Sequence, residues 1–283
     1  MKAPFDLVEI SPGRRLHALI EGPTGAPLVV FDHGAFGIYA DGWWVKEKLK
    51  RDNRVLLYGR AGMGWSDPAP PGAELTAEFH VEDLRRLLTV VGAHPPFMLV
   101  GHSMAGFRLQ AFAALYPDEL AGLVFVDAMN PAALRLPGGM KVLTRFSALL
   151  AAGHRAAGFG AMRLAAPFAR DQMALPAQRQ QEKRFIFGDS AHWKAAKREV
   201  DATDPMARYF NTLASLSCPV AVFSRNAQGG ACAPIAKVAA THGLYGKVIG
   251  LAGETHTSLL NPKHAEMIAG QVRLMRQTHL TAV

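Results

Sequence analysis

The segment GHSMAG (101–106) lies where an apolar run, FMLVGHS (97–103), gives way to a helix-like stretch, MAGFRLQAFAALY (104–116), that stops at Pro117. A serine at such a strand-to-helix turn is forced above the sheet with its oxygen exposed. The crowding there demands small residues two before and two after it. Gly101 and Ala105 meet that demand, and Gly106 allows helix and strand to approach closely. The G-x-S-x-G pattern asks for glycine at 105, and Ala105 satisfies the steric reason for it. The chemistry implied is nucleophilic attack by Ser103 on a carbonyl carbon. The plainer alternative is a serine in an ordinary strand-to-helix turn.

A serine hydroxyl needs a base, and the base needs an orienting acid. With this kind of turn the chain order is serine, acid, histidine. The histidines after Ser103 are His154, His192, His242, His256, His264 and His279. His256 lies in GETHTSLLNP (253–262), three residues past the apolar run KVIGLAG (247–253) and shortly before a helix, where a base belongs. His242 precedes that run, His264 and His279 fall in the last helix, and His154 and His192 fall in a separate helical segment.

The customary position of the acid, the loop SRNAQGGACAP (224–234), has no carboxylate, and none occurs from Met206 through Gly253. Asp127, at the end of GLVFVDA (122–128), is therefore the expected acid, with Asn226 as an uncharged orienter or a water-bridged Glu254 as alternatives. An oxyanion hole needs two backbone N–H groups. One is expected from Met104, after the nucleophile, and the other from HGAFG (33–37), with Ala35 the donor and Phe36 the alternative. His33 reads as a structural hydrogen-bonding residue and Phe36 as a substrate-binding wall.

The elements that must hold these groups alternate. FDLVEI (5–10) and RLHALIEG (15–22), joined by Ser11-Pro12-Gly13, read as strands. PLVVFDHG (27–34), NRVLLYG (53–59), FMLVGHS, GLVFVDA, CPVAVFS (218–224) and KVIGLAG are apolar on both faces, as in strands covered by helices on both sides. Residues 75–91, 104–116 and 262–277 have helical period, the first entered at Thr76 and the last at Pro262. The class is α/β with a mostly parallel sheet. Residues 131–211 break the rhythm: they read as several helices interrupted at Pro137-Gly138-Gly139, Gly158-x-Gly160, Pro167 and Pro176. Met140, Leu143, Phe146, Leu149 and Leu150 fall there near helical spacing, as ordinary packing onto the core or as a wall for a hydrophobic acyl group.

The chain has 283 residues, 49% hydrophobic and 19% charged, a globular composition without a run long enough to span a bilayer. The N-terminus does not read as a secretory signal. Two cysteines, Cys218 and Cys232, imply no disulfide framework and no zinc spacing, so a reducing, cytoplasmic location and no metal or other cofactor are expected. The net charge is +8, and residues 131–203 carry much of it, with 12 Lys/Arg against 5 Asp/Glu. Such a segment is ordinarily a solvated face. Docking on an anionic membrane is the alternative, and no nucleic-acid partner is expected.

HGAFG, GRAGMGWSD (59–67), GHSMAG, LVFVDA and GETHTSLLNP, in this order, make the chain resemble the α/β-hydrolase fold-1 family of esterases, lipases and related enzymes. The resemblance implies an eight-stranded sheet flanked by helices. It implies a helical cap inserted after strand six, so that residues 1–130 and 212–283 form the core and 131–211 the cap. The chain resembles members whose acid follows strand six. The family's usual Asp-Arg-x-Gly reads Gly59-Arg60-Ala61-Gly62, without the aspartate, at a position that is normally structural. Relatives that open epoxides or remove halides carry aspartate where Ser103 stands. The expected activity is hydrolysis of small to medium hydrophobic carboxylic esters through an acyl-enzyme. Lactone, amide, thioester or C–C bond hydrolysis and acyl transfer are open to the same residues, and a ligand-sensing protein on a hydrolase scaffold is an alternative of another class.

Overall fold

The computed structural model describes residues 1–168, 170–204, 216–226, 232–241 and 246–281. Residues 205–211 of the expected insertion, 227–231 of the loop after the penultimate strand, and His242 lie outside them. The apolar runs form eight strands: β1 (Asp6–Ser11), β2 (Arg14–Glu21), β3 (Leu28–Asp32), β4 (Arg54–Tyr58), β5 (Phe97–His102), β6 (Leu120–Val126), β7 (Val220–Ser224) and β8 (Gly246–Gly250). They make one sheet in the order β1-β2-β4-β3-β5-β6-β7-β8. The pairs β1–β2 and β2–β4 are antiparallel, and all others are parallel.

Alternate side chains of the central strands enter two cores. Val30, Leu56 and Leu99 face one side with Leu84, Leu87 and Leu88 of α2 (Ala77–Val90) and Leu109 and Phe112 of α3 (Ala105–Leu115). Val29, Phe31, Leu57 and Val100 face the other, with Val45 and Leu49 of α1 (Trp43–Leu49). This two-sided burial is why the strands read as continuous apolar runs. Thr76 caps α2, accepting the Phe79 N–H at 3.2 Å.

Among the described residues between β6 and β7 stand five α-helices: α4 (Pro131–Arg135), α5 (Gly139–Gly158), α6 (Ala161–Ala165), α7 (Ala177–Phe187) and α8 (Ser190–Asp201). The expected glycine and proline breaks fall at their boundaries. Beyond β7 come α9 (Ala233–Thr241) and, after β8, α10 (Pro262–Thr281). Among the described residues no helix is long and apolar enough to cross a membrane. The insertion has its own apolar seam, with Leu143, Leu150 and Ala157 of α5 and Trp193, Ala196 and Val200 of α8 packed with Ala35, Met104 and Phe107 of the core. The apolar row expected along α5 divides. Leu143 and Leu150 are buried in the seam, whereas Met140 and Leu149 point to solvent. One helix face meets α8, and the row spreads beyond that face.

A buried ion cluster joins insertion to core. Arg60, after β4, pairs with Asp32 at the end of β3 (2.6 Å) and with Glu199 of α8 (3.0 Å). Arg108 of α3 pairs with the same two carboxylates, at 2.6 Å to Asp32. All four are buried. Burial alone would raise the Asp32 carboxyl, yet Arg108 and Arg60 hold its pKa below the usual carboxylate value. The aspartate missing before Arg60 is thus replaced by Asp32 and Glu199, which are distant in sequence.

Two substitutions test these contacts. Glu199→Ala should lower the unfolding free energy in urea by about 3–5 kcal/mol, because two buried guanidinium groups are left with one carboxylate. A Cβ on Gly106 would lie 2.0 Å from the Met129 carbonyl oxygen, so Gly106→Ala should cost about 2–3 kcal/mol by the same measurement.

Candidate active site

Ser103 occupies the turn between β5 and α3 with φ at +58°, the left-handed region that a residue bearing a Cβ adopts at a cost of about 1 kcal/mol. The surroundings impose it. The Ser103 N–H donates to Val126 O (3.1 Å), and the Ser103 carbonyl accepts from the N–H groups of Gly106 (3.1 Å) and Met129 (2.8 Å). A Cβ on Gly101 would stand 2.8 Å from Leu109 and 3.0 Å from the Ala105 Cβ. Small residues at 101 and 105 are therefore needed, and Ala105 fits.

Asp127 follows β6, also with positive φ (+43°), which aspartate tolerates better than most residues. Its N–H donates to Phe223 O of β7 (2.7 Å). Its Oδ2 lies 2.6 Å from His256 Nδ1 and 2.6 Å from Arg225 Nε. Burial would raise the Asp127 carboxyl, but the hydrogen bonds from His256 and Arg225 outweigh it and hold the pKa at about 2. An ionised Asp127 accepts the His256 Nδ1–H and leaves Nε2 bare. Of the other candidate orienters, Glu254 is engaged elsewhere, accepting from Ser258 Oγ (2.7 Å) and standing 3.3 Å from His264, while Asn226 donates its backbone N–H to Ser224 Oγ (3.1 Å).

Sequence reasoning missed Arg225, which stands in the loop where an acid is customary and grips Asp127 from there. It also missed His102, next to Ser103. The His102 Nε2 lies 3.0 Å from the His256 carbonyl oxygen and ties the His256 loop to β5. Burial, reinforced by His256, pushes the His102 pKa to about 3, so the ring is neutral and Nε2–H is the donor. The insertion holds the loop from the other side: Thr255 and Thr257 both donate to Gln172 Oε1. No hydrogen bond joins Ser103 to His256 among the described residues, although both line one cavity.

HGAFG forms a turn closed by the Gly37 N–H on Gly34 O (3.1 Å), with Ala35 and Phe36 at its centre. A Cβ on Gly34 would meet Ser103 Cβ at 3.0 Å, so the glycine lets this loop abut Ser103. The N–H groups of Ala35 and Met104 have no partner among the described residues, and both residues line the cavity. The ion cluster holds the loop from below: Arg60 and Arg108 both donate to His33 O at 2.8 Å, and Arg60 donates to Gly34 O at 2.9 Å. His33 is wholly buried, and burial with the adjacent Arg60 pushes its pKa well below the ordinary value, a structural environment rather than that of a base.

The cavity measures about 530 Å³. Leu143 and Phe146 of α5, Met173, Phe187 and Phe36 make most of its wall apolar. Phe36 lies 4.2 Å from Trp193, with the rings tilted at 47°, and 6.0 Å from Phe187, joining the loop to the insertion. At the polar end Lys183 pairs with Asp41 at 2.6 Å. Among the described residues no three His, Cys, Asp or Glu side chains are arranged to hold a metal ion.

Known proteins share this architecture. A family model described as the alpha/beta hydrolase fold matches residues 27–242. An esterase of Thermogutta terrifontis superposes with a TM-score of 0.67 at 22% identity, over 96% of this chain and 97% of that one. An enol-lactonase of Burkholderia xenovorans superposes with a TM-score of 0.66 at 18% identity, over 98% and 100%. At such identities the likeness is one of fold. Among curated sequences, a protein of Hormonema carpetanum described as the probable transporter efuK is 32% identical over 118 residues, 40% of this chain and 17% of that protein. The matched part spans 17%, 18% and 40% of three such relatives. The chain belongs to the α/β-hydrolase fold family.

Proposed function

We propose that the protein is a serine hydrolase of carboxylic esters with a hydrophobic acyl part. The reading is carried by Ser103, on a strained turn, sharing an apolar cavity with His256, whose Nδ1 is 2.6 Å from an ionised Asp127. Ser103 Oγ attacks the ester carbonyl while His256 Nε2 takes its proton. Asp127 keeps the other ring proton on Nδ1 and stabilises the imidazolium that forms. The backbone N–H groups of Ala35 and Met104 receive the oxyanion. His256 then protonates the departing alcohol, and water attacks the acyl-serine by the same route in reverse. The Ser103–His256 hydrogen bond forms as substrate fills the cavity, since such contacts are often loose in the free enzyme.

Phe36, Leu143 and Phe146 supply the acyl wall, and residues from 131 onward act as a cap over it. The esterase and enol-lactonase named above share the fold, and lactone opening uses the same steps with the leaving alcohol still tethered.

Ser103→Ala should lower turnover of short p-nitrophenyl esters by about four orders of magnitude or more, and Asp127→Asn by about four. Undiminished hydrolysis by Ser103→Ala removes the reading. Arg225→Gln gives a pH test. A carboxylate with a depressed pKa stabilises the fold above its unfolded pKa of about 3.9, and that contribution is lost as the pH falls through the folded value. With one partner removed, the folded pKa of Asp127 rises from about 2. Acid unfolding of Arg225→Gln, followed by circular dichroism, should therefore begin at higher pH than in the unaltered protein.

A further inference from the structure

Residues 128–170 contain no Asp or Glu and six Lys or Arg. The same stretch holds seven of the thirteen large hydrophobic side chains exposed among the described residues. Phe159 is 92% exposed, Phe168 88% and Leu164 78%. Single exposed apolar residues are ordinary, but a cluster of them in a stretch rich in cations is not.

Helical geometry gathers them. On α5, Leu143, Phe146, Leu150, Gly153 and Ala157 turn toward the molecule. Lys141, Arg145 and Arg155 lie along the opposite line, which ends at Phe159. None of the three pairs with a carboxylate among the described residues, and all are exposed. Val142 and Leu149, seven residues apart, run beside that line, and both are exposed. Val142 also lines the cavity, so this edge of the surface lies at the cavity mouth. The next turn, α6, packs on α5 and adds Leu164 and Arg163.

We infer that this face of the insertion docks on an anionic phospholipid surface, with Phe159, Leu164 and Phe168 entering the acyl boundary and Lys141, Arg145 and Arg155 meeting the phosphates. The charge carries the choice of occupant. A second copy would bring the same cations against one another. A nucleic-acid backbone would satisfy the cations but leave the phenyl and isobutyl groups in water. A bilayer rim offers negative charge and an apolar phase within one side-chain length, as for amphipathic segments lying in the interface. Docking is independent of ester hydrolysis, so the two readings can fail separately.

Co-sedimentation with large vesicles tests it. The protein should partition onto phosphatidylcholine vesicles containing phosphatidylglycerol and not onto phosphatidylcholine alone, and raising salt from about 0.05 M to about 0.5 M should weaken the binding. The triple variant Lys141→Gln/Arg145→Gln/Arg155→Gln should bind about a hundredfold more weakly, at about fivefold per cation. Phe159→Ser/Leu164→Ser/Phe168→Ser should lose at least about tenfold. Unchanged thermal melts would show that both variants fold. Equal binding to neutral vesicles, no binding to anionic ones, or undiminished binding by either folded variant overturns the inference. So does sedimentation of the free protein as a dimer that the serine variant dissolves without any vesicle binding. Binding to duplex DNA that the serine variant keeps, with no vesicle binding, would assign the cations to nucleic acid instead.

Discussion

Two guanidinium groups and two carboxylates, all buried, hold the working parts in register. Asp32 ends β3, Arg60 follows β4, Arg108 belongs to the helix that follows Ser103, and Glu199 comes from the insertion. Charges removed from water must be paired and hydrogen-bonded at every site or they are costly. The remaining donors of Arg60 and Arg108 therefore go to the carbonyls of His33 and Gly34. Those carbonyls belong to the turn whose next residues, Ala35 and Phe36, line the cavity. An apolar replacement could fill the same volume, but it could not aim the turn. The cluster thus couples three things: the HGAFG turn, the helix α3, and the seat of the insertion on the sheet.

Ser103, Asp127 and Arg225 are brought together at the ends of adjacent parallel strands. β5, β6 and β7 lie side by side, with His102 opposite Val126 and Val126 opposite Phe223. Residues one or two beyond those ends, Ser103, Asp127 and Arg225, are brought to one rim without any long loop. Ser103 and Asp127 both take positive φ there. Each hangs by its N–H from the neighbouring strand, so that the ladder itself imposes the strain. An acid after β6 is compatible with a β7 loop that contributes Arg225, a cation that keeps Asp127 ionised beside a histidine half open to solvent.

Much of this was legible in the sequence because the signals are local. Continuous apolar runs, a serine between small residues, a capping threonine and the glycine and proline breaks of the insertion each express one element's own requirements, and each element formed where expected. That Asp127 would stand beside His256 was legible by elimination, from a carboxylate-free stretch. The ion cluster was not, because its directly paired members are separated by up to 139 positions and a lone buried arginine resembles a surface one in sequence. Arg60 read as a motif lacking its aspartate, whereas the negative charge arrives from Asp32 and Glu199. The row Met140, Leu143, Phe146, Leu149, Leu150 also misled, since spacing alone does not say how wide a face its neighbour covers.

The insertion sorts its charges by sign. Its acids have local duties: Asp171 accepts the N–H groups of Met173 and Leu175, Asp189 caps α8, Glu182 bonds Tyr39 and pairs with Arg179, Glu199 is in the cluster, and Asp201 meets Ser147 and Lys197. Among the described residues Lys141, Arg145 and Arg155 of α5 pair with no carboxylate. Burying Glu199 against the core arginines Arg60 and Arg108 ties the insertion down on its inner side, while α5 keeps its cations in solvent. Part of the excess read from composition therefore lies on the face of α5 that borders the mouth of the cavity lined by Ser103.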